Sequence, residues 1–262
     1  MTPDSLRVEG LHYAYPNGPA VLDGLNLVVE AGERVALLGP NGSGKTTLLH
    51  QVTGILEAEA GTVDVGGLRL DDATCGEIRA RVGVVFQDAD DQLFMPTVRH
   101  DVAFGPANLG LTGTALEETV LAALAAVNAT ALADRSPHHL SVGEKRRVAL
   151  ATVLAMDPSV LLLDEPSAGL DPKGRRELIE LLSSIDQTQM IVTHDLLLAL
   201  ELCGRALLLS GGRVVADRPP LDLLTDVELL AQHRLELPLP LDRPTLVTLL
   251  ERVQQKGPRS MG

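Results

Sequence analysis

The sequence predicts an α/β fold: a mainly parallel core sheet, an N-terminal antiparallel β subdomain and an inserted helical subdomain. Three observations carry this. Compact apolar runs at Arg34–Leu38, Val82–Phe86, Val160–Leu163 and Met190–Thr193 read as strands buried on both faces, the pattern of parallel sheets. Helical stretches alternate with them, as crossover connections require. From about Thr97 to Asp157 the chain turns rich in Ala, Leu and Glu, as in Leu116–Val127, and reads as a helical insertion.

The elements follow in order. Leu6–Val8 and Leu25–Val29 are short strands separated by Pro16, Asn17-Gly18 and Gly24. Arg34–Leu38 runs into a glycine-rich turn, and a helix from Thr46 to Thr53 ends at Gly54. Gly61–Val65, Gly66-Gly67 and Leu68–Leu70 form a hairpin, as do Ala206–Leu209, Gly211-Gly212 and Arg213–Ala216. The tail is punctuated by Pro219, Pro220, Pro238, Pro240 and Pro244, and Leu246–Val253 reads as a short terminal helix. We therefore expect a main domain over residues 1–218, with the helical insertion at about 97–157, and a small accessory region over 219–262.

Composition narrows the function classes. The 262 residues are 45% hydrophobic but only 2% aromatic, without Trp, so the core must be built from Leu, Val, Ala and Ile. Few aromatics and a net charge of −13 argue against base stacking and phosphate-backbone binding, so no nucleic-acid partner is expected. Cys75 and Cys203 lie far apart and suggest neither a disulfide framework nor a metal site. The first ten residues show no signal-peptide pattern, and no stretch approaches the ~20 apolar residues needed to span a bilayer. The chain is expected to be soluble, with any membrane role reached through a partner.

The glycine-rich turn carries the first chemical signal. Gly39-x-x-x-x-Gly44-Lys45-Thr46 is a complete P-loop, set between a strand and a helix as that motif requires. Its backbone N–H groups and the helix N-terminus suit phosphate. Gly39, Pro40, Asn41, Gly42, Ser43, Gly44, Lys45, Thr46 and the following Thr47 are thus candidate nucleotide-binding residues. Lys45 would reach the β- and γ-phosphates, and the Thr46 hydroxyl would ligate Mg2+. A second site follows the apolar strand Leu161–Leu163, which delivers Asp164 and Glu165 at its carboxyl end, where α/β sheets bind ligands. Asp164 fits the carboxylate on the Mg2+ side, and Glu165 the group that polarises the attacking water. Alone, such an acidic pair is more often a helix cap; the upstream P-loop favours the functional reading.

Further motifs are specific in combination. Leu140-Ser141-Val142-Gly143-Glu144-Lys145-Arg146-Arg147 resembles the signature of the ATP-binding-cassette (ABC) family. The stretch Asp164–Pro172 is similar to that family's joined Walker B motif and D-loop, Gln87 to its Q-loop glutamine, and Val192-Thr193-His194-Asp195 to its switch-histidine segment. Tyr15 stands where the family places an adenine-stacking aromatic. The motifs occur in the family's order, and the resemblance spans about residues 5–218.

The resemblance implies an ATPase that works as a head-to-tail pair, most simply a homodimer. Each ATP would lie between one subunit's P-loop and the Ser141 and Gly143 backbone of the other. Gln87 would sense Mg2+ and couple to a membrane subunit, and His194 would hold the γ-phosphate beside Glu165. Val142 and Glu144 depart from the commoner Gly and Gln. Ser141-x-x-Glu144 is also a helix-capping box, and both readings can hold together. His138 and His139 have no partners at ligand spacing and read as a solvated loop.

The segment Phe86–Phe94, followed by Thr97–Pro106, resembles the ATPases of energy-coupling-factor transporters of the cobalt and nickel group, although Asp88-Ala89 replaces the usual Asn-Pro. So does the tail piece His233–Pro238. This implies an importer of a divalent metal or vitamin. A transmembrane coupling subunit would dock beside Gln87 and meet Asp88, Asp90 and Asp91, a substrate-binding membrane subunit would complete the assembly, and the chain would sit at the cytoplasmic face of the membrane. The alternatives are the ATPase of another ABC importer or exporter, a soluble ABC ATPase of translation or repair, or a small-molecule kinase, which would have no use for the signature or the switch histidine.

Overall fold

The computed structural model describes residues 5–235, with Pro244 and Thr248, both helical. The expected helix Leu246–Val253 lies outside the described residues except for Thr248.

Two sheets build the frame. Strands β1 (Leu6–Ala14), β2 (Ala20–Val29), β4 (Ala60–Val65) and β5 (Leu68–Arg69) form an antiparallel sheet in the order β2-β1-β4-β5. Strands β3 (Arg34–Leu38), β6 (Val82–Val85), β7 (Val160–Asp164), β8 (Thr188–Val192), β9 (Arg205–Ser210) and β10 (Arg213–Arg218) form the second, in the order β10-β9-β3-β8-β7-β6. All pairs in this sheet are parallel except the terminal hairpin β9–β10.

The near-continuous apolar strands are buried on both faces, as their composition requires. Alternate side chains of β3 enter different cores. Ala36 and Leu38 pack with the helical side, whereas Val35 and Leu37 pack with the antiparallel sheet and α1 (Lys45–Val52).

Helices α3 (Val98–Asn108), α4 (Gly113–Ala126) and α5 (Val142–Leu154) lie in the chain between β6 and β7. They bury Val102, Val120, Leu124 and Val148 together. Helices α6 (Pro172–Ser183) and α7 (Leu196–Leu202) bridge β7–β8 and β8–β9, completing the crossovers that parallel pairing demands. Beyond β10, α8 (Pro220–Leu224) and α9 (Val227–Gln232) add Leu223, Leu224 and Leu230 to the same core. A short helix, α2 (Cys75–Arg81), leads into β6.

Candidate active site

Four neighbouring parallel strands, β3, β8, β7 and β6, end at one edge of the sheet. Their carboxyl ends deliver, in that spatial order, the Gly39–Thr46 loop, Thr193-His194, Asp164-Glu165 and Phe86-Gln87. Residues far apart in sequence meet because crossovers return each strand in the same direction, and this edge is where open α/β sheets bind ligands.

The loop after β3 is shaped by close backbone approaches. A Cβ on Gly39 would lie 2.3 Å from the Leu209 carbonyl oxygen and 2.8 Å from Ser43 Oγ. Gly44 caps α1 at φ 105°, and a Cβ there would meet Leu22 at 2.8 Å. No side chain caps α1, so its first-turn N–H groups stay available to an anion. The buried Ser43 hydroxyl has no partner. Lys45 Nζ donates to the Gly39 and Pro40 carbonyls at 2.8 and 3.0 Å. Burial pulls its pKa down, opposed by the charges of Glu165 and Asp164. An ammonium satisfied only by loop carbonyls, an orphan hydroxyl and an uncapped helix start all fit a phosphate chain.

The acidic pair is anchored by the neighbouring loop. Glu165 Oε1 lies 2.7 Å from His194 Nδ1 and accepts the His194 backbone N–H at 3.0 Å; Oε2 accepts from the Thr193 hydroxyl at 3.1 Å. The Glu165 N–H donates to Val192 at 2.8 Å while the residue holds φ 45°, an uncommon conformation for a side-chain-bearing residue. Glu165 is nearly buried, whereas the His194 side chain is 70% exposed, so the imidazole faces open space. Asp164 is raised above the usual carboxylate range by burial and by Glu165, against the pull of Lys45, His50 and a hydrogen bond from Thr46.

A cleft of about 600 Å3 opens beside Asp164, lined by Thr46, Gln87, Asp164 and Arg146 among others, while Lys45, Glu165 and His194 are not among its lining residues. Thr46, Gln87 and Asp164, the residues expected to hold a divalent cation, thus share one cavity. All are oxygen donors, the set a hard cation prefers. Tyr15 places its hydroxyl 3.3 Å from Thr47 Oγ1 and its ring edge-on to Tyr13. It remains 43% exposed beside the loop. Ser141 and Gly143 do not line the cleft. They start α5, where Ser141 and Glu144 form the expected capping box: Ser141 N donates to Glu144 Oε2 at 2.8 Å, and Glu144 N to Ser141 Oγ at 3.4 Å. His138 and His139 are exposed, and no metal-binding cluster occurs among the described residues.

The acidic segment after Gln87 is partly committed within the chain. Asp88 caps the turn Ala89–Asp91, and Asp90 pairs with Lys145 at 2.5 Å. Arg146 lies inside the signature stretch, but nothing in the sequence assigns it a role of its own. Buried beside the cleft, it donates to the Phe86 and Ala168 carbonyls, both at 3.2 Å, tying α5 to two of the site's loops. A cation at this spacing reads from sequence as one more polar residue of a helix.

Fold and cleft together define a P-loop nucleotide-binding protein. Comparison with known proteins places it more closely. The ABC transporter family profile matches residues 22–168. A Streptomyces coelicolor protein, named provisionally as an ABC transporter ATP-binding protein, is 58% identical over 240 residues, covering 92% of each chain. The energy-coupling factor transporter ATP-binding protein EcfA of Methanothermobacter thermautotrophicus is 44% identical over 257 residues, 96% of this chain and 81% of that one. The structure of CbiO1 from Clostridium perfringens, described as part of the ABC transporter complex CbiONQ, superposes with a TM-score of 0.78 at 36% identity, covering 94% of this chain and 98% of that one. The chain belongs to the ABC transporter family, as an ATP-hydrolysing, ATP-binding subunit. No helix among the described residues is long and apolar enough to cross a membrane.

Proposed function

We propose that this chain energises an importer of the energy-coupling-factor type, carrying a divalent metal such as cobalt or nickel, or a vitamin. Likeness to EcfA and CbiO1 supports the subtype. The observation that carries the chemistry is Glu165, held by His194 and Thr193 at the strand end beside the P-loop and aimed at the same edge as Lys45.

In this reading Gly39–Thr47 cradle the triphosphate and Tyr15 stacks on adenine. Lys45 neutralises the β- and γ-phosphates. Glu165 takes the proton of the attacking water as the bond from water oxygen to γ-phosphorus forms and the bond to the ADP oxygen breaks. His194, its exposed imidazole beside Glu165, orients the γ-phosphate. Mg2+, held by Thr46, Asp164 and Gln87, would neutralise charge on the phosphate oxygens. Ser141 and Gly143 serve the nucleotide of a second subunit, most simply another copy of this chain, and the working form is then a homodimer.

The exposed pair Phe94 and Phe104, in edge contact at 5.1 Å, together with Asp88 and Asp91, offers a docking surface to basic, apolar helices of a transmembrane coupling subunit. A substrate-binding membrane subunit completes the assembly at the cytoplasmic face. Residues 1–218 act as the cassette and 219–262 as an accessory region.

Isolation of the tagged protein from detergent-solubilised host membranes, with mass spectrometry of its partners, tests this. A small polytopic coupling protein with a metal- or vitamin-binding membrane subunit is the expected result. A conventional permease would move the chain to another transporter group, and soluble partners alone would remove the transport role.

A further inference from the structure

Asp195 follows the exposed His194 and lies where three segments meet. Its Oδ1 accepts the Leu198 N–H at 2.9 Å and so caps α7. Its Oδ2 does something else: it accepts from Ser167 Oγ at 3.2 Å and from Arg175 Nε at 2.8 Å. Arg175, on α6, also donates to Glu201 on α7 at 2.9 Å. The Asp195 N–H donates to Thr193 Oγ1 at 2.9 Å, and that hydroxyl donates to Glu165 Oε2 at 3.1 Å. A continuous polar path therefore runs from Ser167 through Asp195 and Thr193 to Glu165. Its other end is the loop Pro166–Asp171, whose Gly169 and Asp171 are exposed.

We propose that Asp195 and Arg175 are positioning residues. They fix the His194 loop against Glu165 and tie it to Ser167 on the loop Pro166–Asp171, so that the geometry around Glu165 depends on these hydrogen bonds. The inference rests on the hydrolytic roles proposed for Glu165 and His194. A plain helix cap would need only Oδ1, whereas Ser167 and Arg175 Nε both donate to Oδ2, and Arg175 Nη2 reaches back to Oδ1 at 3.4 Å to complete a charge-assisted fork. Burial works against charge on Asp195, yet the Arg175, Leu198 and Ser167 hydrogen bonds outweigh it and hold its pKa below the ordinary carboxylate value. The acceptor therefore stays ionised at neutral pH. None of the side chains Ser167, Arg175 and Asp195 lines the cleft, so removing their hydrogen bonds should affect binding less than turnover.

ATP turnover by the full-length protein, measured against ATP concentration, tests this. Ser167→Ala removes the loop bond and leaves the α7 cap; we expect kcat to fall about fivefold with KM within about twofold. Arg175→Met should lower kcat about tenfold, and Arg175→Lys, which cannot fork, should recover part of it. The double variant S167A/R175M should lose little more than R175M alone, because both act through one carboxylate. If Arg175→Met fails to fold, Asp195→Asn replaces it in the cycle, since it preserves the Oδ1 cap. Turnover of Ser167→Ala equal to the parent, or losses that multiply in the double variant, would overturn the proposal. Glu165→Gln run in parallel separates the two readings. If it hydrolyses normally, the hydrolytic assignment fails and this inference falls with it; if it is inactive while Ser167→Ala is unaffected, only the inference fails.

Discussion

Replacing Glu165 by Gln removes the proton acceptor and little else. Its Oε1 accepts from the His194 N–H at 3.0 Å and faces Nδ1 at 2.7 Å, so the Gln carbonyl can take this position. The Gln amide would then face Thr193 Oγ1, which already accepts from the Asp195 N–H at 2.9 Å and can turn to accept again. The fold should lose about 1 kcal/mol, the net worth of one hydrogen bond. A general base contributes about 10²–10⁴ in rate, so the barrier should rise by about 3–5 kcal/mol. Phosphate release at saturating Mg-ATP should fall by that factor while fluorescent-nucleotide binding persists. Light scattering should show an ATP-trapped dimer. Turnover within about tenfold of the parent, with nucleotide occupancy intact, would refute the role of Glu165.

Three further outcomes follow from the geometry. Gly39→Ala would press a methyl against the Leu209 carbonyl and Ser43 Oγ; calorimetry should show about 1–3 kcal/mol of destabilisation, and nucleotide binding should be lost with the cradle's shape. Glu144→Ala removes the partner of the Ser141 N–H and the ion pair with Arg135 at 3.4 Å. It should cost about 1 kcal/mol, or about 2–4 °C in Tm. Because the hydrogen bonds from Ser141 hold the Glu144 pKa below its ordinary value, this contribution is present at neutral pH and fades as pH falls through that lowered value. In acid, the melting curves of parent and variant should therefore converge. Burial pushes the Cys203 thiol up to about 12, so a thiol reagent at pH 8 should label half-buried Cys75 in the native protein and Cys203 only in denaturant.

Much of the frame is legible because burial on both faces leaves an unmistakable pattern. The apolar runs at β3, β6, β7 and β8 coincide with the strands within a residue or two. The first two strands are harder to read. Leu6–Val8 extends to Ala14, and Leu25–Val29 starts at Ala20, because Glu9, His12 and Asp23 lie on the solvent side and bulges shift the register around Leu11. Polar residues and Gly10 there suggest a loop, although ladder pairing to β2 and β4 holds the backbone extended. At the site, groups with a local chemical signature, such as Lys45, Glu165 and His194, stand out in sequence. Arg175 does not, and Arg146, though inside the signature stretch, shows nothing there of its contacts. Their partners lie 20–60 residues away, and neither period nor spacing foretells a tertiary hydrogen bond. Asp90 shows the converse: its charge is visible, its commitment to Lys145 is not.

The left-handed backbone at Glu165 sets evolvability against durability. Asn or Gly would occupy φ 45° more comfortably, and relieving a strained residue of this kind is worth about 1–3 kcal/mol. A library selected for heat resistance alone could take that gain only by giving up the hydrogen bonds that Glu165 accepts from His194 and Thr193, and it would surrender turnover as well. Selection that also demands hydrolysis would hold Glu there and look for its gains elsewhere in the chain.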